Sequence, residues 1–195
     1  MKMSKFGYFS EFLLFPPLIL LATLVAFRSS NPPQPVVWAL VFVAGLFVWT
    51  FIEYLLHRVL FHHAPVLSLI HGRHHRSPQD LIGTPAWASV LLGVIAVACP
   101  SWALFGFNLA TAATAGLGTG YLWYVLVHYA THHWQLPRDS YLYQARLRHA
   151  RHHHHLSHGR NFGVTTSFWD HVFGTAFEGR TSKPGAGGAS TNRVY

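Results

Sequence analysis

Long apolar runs separated by sharp polar breaks dominate this chain. Phe12 to Phe27 is apolar except for Thr23 and contains the pair Pro16-Pro17. Its sixteen residues fall short of the roughly 20 that cross a bilayer, so this span is expected to reach back toward Phe6. Arg28 to Pro35 is polar and proline-rich, which reads as a turn. Val36 to Ile52 is again apolar and continues through Glu53-Tyr54-Leu55-Leu56 into His57. Leu81 to Val127 holds no charged residue. That length is too great for one span and fits two, about 85–99 and 109–132, with the turn bracketed by Pro100-Ser101 and Asn108. Gly116, Gly118 and Gly120 in the last span allow close helix packing.

The expected fold is therefore all-α: an integral membrane protein with four transmembrane helices, about 12–27, 36–56, 85–99 and 109–132. Residues 1–177 form one membrane-embedded domain, and 178–195, rich in Gly, Ser and Thr, are expected to be disordered. The apolar run ends at Phe27-Arg28-Ser29-Ser30 without an A-x-A-like cleavage site, so a retained span is expected and not a secretory signal. Composition agrees. Half of the 195 residues are hydrophobic (51%) and 10% are charged, against about a quarter in soluble domains. The single cysteine, Cys99, excludes an internal disulfide and a cysteine-based zinc site.

The net charge of +8 raises nucleic acid as a partner, but the placement of the charge argues against it. Thirteen of the fourteen Lys and Arg residues fall on one side of a four-span arrangement, with Arg28 the exception. The positive-inside rule makes that side the cytoplasm and puts both termini there. All sixteen histidines lie at or near the same face, and none precedes His57.

Ten of these histidines form four clusters: His57 with His62, His71-Gly72-Arg73-His74-His75, His128 with His132, and His149-Ala150-Arg151-His152-His153. Residues at i, i+3 and i+4 share a helical face, so each HxxHH set can converge, and His128 and His132 sit one turn apart. His57 and His62 are five apart and diverge on a regular helix. Either they reach different metals or the helix ends between them. Ten imidazoles shared by two metals give five each, which leaves a sixth octahedral position open. An open position on iron is what dioxygen activation requires, and imidazole suits iron as well as zinc. His63, His133, His154, His155, His158 and His171 lie outside the patterns and read as outer-shell, surface or packing residues. Glu53, Asp80 and Asp170 are candidates to orient metal-bound imidazoles from outside. Asp139 reads as a turn or helix cap in Pro137-Arg138-Asp139-Ser140.

These residues resemble the fatty acid hydroxylase and sterol desaturase superfamily of membrane di-iron, histidine-box enzymes, and within it the fatty acid 2-hydroxylases, which act on sphingolipid acyl chains. The resemblance covers about Glu53 to Phe177. It rests on Glu53-Tyr54-Leu55-Leu56-His57-Arg58, Leu60-Phe61-His62, the histidine clusters, Ser140-Tyr141-Leu142-Tyr143, Asn161-Phe162-Gly163-Val164-Thr165-Thr166 and Trp169-Asp170. It implies cytosolic helices capping a di-metal site and two iron ions held by the ten histidines, which zinc can replace in purified protein. It also implies O2-dependent monooxygenase chemistry on a membrane lipid, most simply a fatty acyl chain. The chain has no room for the cytochrome b5 domain that eukaryotic 2-hydroxylases often carry. A separate electron donor is therefore expected, such as cytochrome b5 or ferredoxin, and the short length suggests a bacterial inner-membrane protein. Arg58, Arg73, Arg76, Arg146 and Arg148 would either hold an anionic head group or set topology. Within the same chemistry the alternatives are carotenoid or sterol hydroxylation or desaturation. From other classes they are a metal transport or storage protein and a haem protein. Ligands clustered at one face disfavour transport, which places them near the midplane. Ten ligands are too many for a haem.

Overall fold

The computed structural model describes residues 2–154 and 159–177. The tail 178–195, His155 and His158 lie outside the described residues. Regular structure among the described residues is helical, with one isolated bridge between Lys2 and Ile82. In chain order the α-helices are α1 (Lys5–Phe27), α2 (Pro35–Leu55), α3 (Pro65–Arg76), α4 (Ala86–Gly93), α5 (Cys99–His133), α6 (Tyr141–His153) and α7 (Phe168–Val172). Two π-helical turns, Leu56–Phe61 and Val94–Ala98, continue α2 and join α4 to α5.

Three helical stretches are long and apolar enough to cross a membrane: Lys5–Phe27, Pro35–Phe61 and Ala86–His133, of 23, 27 and 48 residues. The first starts seven residues before Phe12 because Ser4 caps it, its side chain accepting from the Gly7 N–H at 3.1 Å. Pro35 opens α2, where its missing N–H costs nothing. The third stretch leaves helical geometry once, at Gly106 (φ 78, ψ 166), a conformation that glycine adopts without a Cβ penalty. Gly106 lies inside the expected turn bracketed by Pro100-Ser101 and Asn108, while Pro100 and Ser101 themselves stay helical, the π turn Val94–Ala98 running directly into α5. Beyond Gly106 the chain doubles back, since the Ser89 and Tyr121 hydroxyls meet at 3.0 Å. At this turn Asn108 Nδ2 donates to the Asn31 carbonyl at 2.7 Å, tying it to the loop between α1 and α2.

Large side chains such as Leu20, Leu40 and Leu92 stay exposed, while the interior is built from Ala110, Ala112, Ala115, Gly116 and Gly120. This small-residue interior is how helices pack where lipid removes the hydrophobic drive between them. A Cβ on Gly116 would strike the Phe42 carbonyl and one on Gly120 the Trp49 side chain, so both permit α5 to lie against α2. Gly118 instead faces Ile19 and Phe15 of α1. The bundle carries the end of α2, its π turn and the end of α5 to one place, where α3, α6 and the 159–167 loop close over them.

Candidate metal centre

A π-helix bonds i to i+5, and this resolves the five-residue spacing of His57 and His62. On the Leu56–Phe61 turn their rings come to one side, 5.4 Å apart and 23° from parallel. They neither diverge nor serve different groups. Together with His71, His75 and His152 they form one set whose ring nitrogens all lie within 4.8 Å of one another. A second set, equally tight, comprises His74, His132, His149 and His153. Nine of the ten pattern histidines thus fall into the two sets, five and four, and His128 lies beside the second, its Nε2 3.0 Å from that of His74. Each HxxHH segment is divided: His71 and His75 turn to the first set and His74 to the second, while His152 turns to the first and His149 and His153 to the second. The remaining described histidines stay outside both sets; His133, for instance, stacks on Tyr129 at 4.3 Å.

The spacing is compatible with shared ligation. Metal–imidazole bonds of about 2.1 Å place cis ligands of an octahedron about 3.0 Å apart and tetrahedral ligands about 3.4 Å apart. The Nε2 pairs here fall at 3.1 Å (His57 and His71), 2.9 Å (His71 and His75) and 3.2 Å (His62 and His152) in the first set. In the second they are 2.9 Å (His132 and His149) and 3.1 Å (His149 and His153). These separations suit imidazoles turned toward a shared ion in each set.

Protonation is arranged for ligation. Burial, and then the neighbouring imidazoles, hold His74 down at about 3 and His71, His149 and His153 well below the ordinary histidine range. These rings are neutral at neutral pH and offer lone pairs. In the first set the tautomer is set from behind. His57 Nδ1 donates to the Phe162 carbonyl at 2.6 Å and His152 Nδ1 to the Arg160 carbonyl at 2.8 Å, so both Nε2 atoms face inward bare. The residues present therefore fit a pair of transition-metal ions.

The acids act one layer further out than a direct contact with imidazole. Buried Glu53 accepts from the Val164 N–H (2.7 Å), the Thr165 N–H (2.9 Å) and the Thr165 hydroxyl (2.5 Å). Buried Asp170 accepts from the Phe162 and Gly163 N–H groups, both at 2.9 Å, and from the Thr175 hydroxyl at 2.7 Å. Two carboxylates thus shape the loop whose carbonyl at Phe162 holds His57. The loop turns tightly: Asn161 has φ 55, and a Cβ on Gly163 would collide with the Thr166 carbonyl. Asp80 lies elsewhere, in a 2.8 Å ion pair with Lys2. The cap of α6 is Ser140, which accepts from the Tyr143 N–H at 3.1 Å, and not Asp139. Arg58 donates to the Tyr54 hydroxyl at 2.8 Å and Arg146 to the Trp134 carbonyl at 3.1 Å. Arg73 and Arg76 line a surface pocket with Lys2.

Sequence reasoning missed two features. Backbone carbonyls leave no signature in side-chain type, so Phe162 and Arg160 were invisible as partners. Glu11 drew no role, though the first span was expected to reach back past it toward Phe6; it lies inside α1 and is buried. A lone acid in an otherwise apolar stretch was the available signal.

Membrane-length helices whose ends, with α3 and α6, bring buried and half-buried imidazoles into two metal-sized sets define a membrane protein of the histidine-cluster type. Residues 42–175, which include all ten pattern histidines, match the model of the fatty acid hydroxylase family, and the chain belongs to that family. It is 36% identical over 147 residues to the fatty acid 2-hydroxylase of Macaca fascicularis, an alignment covering 69% of this chain and 38% of the relative. It is 36% identical over 151 residues to a dihydroceramide fatty acyl 2-hydroxylase of Arabidopsis thaliana, covering 70% of this chain and 60% of that one. The solved structure of full-length scs7p, in which only the hydroxylase domain is visible, superposes with a TM-score of 0.76 at 32% identity, over 88% of this chain and 67% of that one. The chain thus spans well under half the length of the mammalian relative.

Proposed function

We propose that the two histidine sets ligate two iron ions and that the protein hydroxylates the acyl chain of a membrane lipid, with dioxygen as co-substrate. The observation that carries this reading is the pair of tight histidine sets, five and four with His128 beside the second, in a chain of this family. Bound iron would supply the activation of dioxygen that an unactivated C–H bond demands. Balanced, one C–H bond, O2, two electrons and two protons give C–OH and water. The electrons would come from a separate donor such as cytochrome b5 or ferredoxin.

The protein's own part is geometric. The ten imidazoles turn their Nε2 atoms toward one another. The Phe162 and Arg160 carbonyls lock two of those rings, and the Glu53 and Asp170 carboxylates keep the loop that supplies the first carbonyl. Isotopically labelled dioxygen, supplied with reductant and ferrous protein, is expected to leave one labelled atom in the lipid product. Label from water would sink the reading. Loss of two hydrogens with no oxygen gained would make the protein a desaturase.

We also infer that the 48-residue stretch crosses the membrane twice, turning at Gly106, to make four spans. Both termini and the histidine sets then lie on the cytoplasmic side. The doubling back between Ser89 and Tyr121 and the basic residues gathered at the histidine end support this. Reporters fused at residue 32 and after residue 183 are expected to report opposite sides of the membrane; the same side for both would remove the four-span count.

A further inference from the structure

The first membrane-length helix carries one acid, and it is not idle. Glu11 is only 4% exposed. The Ser89 hydroxyl donates to its Oε1 at 2.8 Å, and the Tyr121 hydroxyl donates to the same oxygen in a short hydrogen bond. Among the described residues Oε2 accepts no hydrogen bond. A carboxylate in this setting is costly unless it is used. Two helix-joining hydroxyls on one oxygen leave half of its acceptor capacity unspent.

Glu11 also shares a cavity of about 160 Å³ with the metal centre. The cavity is lined by Glu11 and Tyr121, by His71 of the first set, and by His74 and His128 of the second, while Phe61, Leu67 and Ile70 supply apolar wall. A small chamber with histidines from both sets, and with Glu11 as its one carboxylate beside the Tyr8, Thr84 and Tyr124 side chains, suits a molecule with an apolar stretch beside a hydrogen-bond donor. Residue 11 precedes the matched family region 42–175, so the family match gives it no role.

We propose that Glu11, held by Ser89 and Tyr121, is a specificity-determining residue: Oε2 accepts the N–H or O–H of the lipid's polar group and so sets which carbons face the histidines. This rests on the lipid-substrate reading above. The occupant is a lipid bearing an amide or hydroxyl donor, in preference to an ester of the same chain.

The test uses the N-methyl amide and the methyl ester of one saturated fatty acid, which differ by an N–H in place of an O. Equilibrium binding to the metal-loaded, full-length protein in detergent is measured for both. The wild type is expected to favour the amide by about 10- to 100-fold, the size of one hydrogen bond to a charged group. In Glu11→Ala the ratio should fall to about one with two metals retained. Should that variant fail to fold, Glu11→Gln keeps the volume and a neutral acceptor, and its ratio should fall at least about threefold. In turnover, KM for the amide should rise while kcat stays within about twofold, the pattern of lost substrate binding. A wild-type ratio near one, or a ratio unchanged in a folded variant, overturns the proposal. So does a fall in kcat at constant KM. If the wild type forms no product, lipid hydroxylation fails, and the binding ratio still judges Glu11 on its own.

Discussion

On the proposed di-iron hydroxylase reading, His152→Ala is expected to reduce hydroxylation to the level of the metal-free protein and to lower the metal content from two ions per chain to one or none. His152 is fully buried, with Nδ1 on the Arg160 carbonyl and Nε2 3.2 Å from that of His62. Truncation removes one donor of five and also unhooks the loop at Arg160. His74→Ala should act alike from the second set. His63→Ala is the control: it lies outside both sets, so metal content and activity should stay near wild type. Elemental analysis beside product formation reads all three. Two metals retained in His152→Ala with full activity would sink the ligand assignment.

Glu53→Ala should rank next, and through stability first. The change leaves the Val164 N–H, the Thr165 N–H and the Thr165 hydroxyl buried without their acceptor. Each such orphan costs about 1–3 kcal/mol, so the sum is of the order of a domain's whole stability, about 5–15 kcal/mol. Poor yield, a lowered melting temperature and loss of metal are expected together, because the loop that presents the Phe162 carbonyl to His57 would come loose. Glu53→Gln keeps an acceptor oxygen and should lose about 1–3 kcal/mol. A Glu53→Ala protein that melts like the wild type would show that the loop is held by Asp170 alone.

Much of this architecture was legible in the chain because bilayer physics imposes it on composition. The length of an apolar run sets the length of a crossing, so the membrane-length stretches stood out, two of the expected spans falling within the third stretch. The start of α1 falls at Lys5, near the expected reach back to Phe6, because Ser4 captures the Gly7 N–H. The break falls at Gly106, inside the stretch that Pro100-Ser101 and Asn108 bracket, because a φ of 78 calls for glycine. Histidine spacing identified all ten gathered residues but not their division. His74 and His75 are neighbours in sequence and point to different sets, which depends on where α6 and the ends of α2 and α5 lie. The targets of Glu53 and Asp170 were beyond reach for a related reason: backbone N–H groups on a distant loop look alike in any sequence.

The π turn at Leu56–Phe61 has a consequence for how such a site can arise and be altered. His128 and His132 share a side of an α-helix with three residues between them; His57 and His62 achieve the same with four. The two arrangements differ by a single codon. Removing one of Arg58, Val59, Leu60 or Phe61 would let the turn revert to α geometry with the histidine pair still aligned. His57 lies upstream of the deletion, so if it stays aligned, Glu53, one α turn before it, keeps its place on the 161–166 loop as well. The extra residue is absorbed within the turn, and a lineage could gain or lose it in one insertion or deletion while the membrane helix and the histidine-bearing segment stay in register.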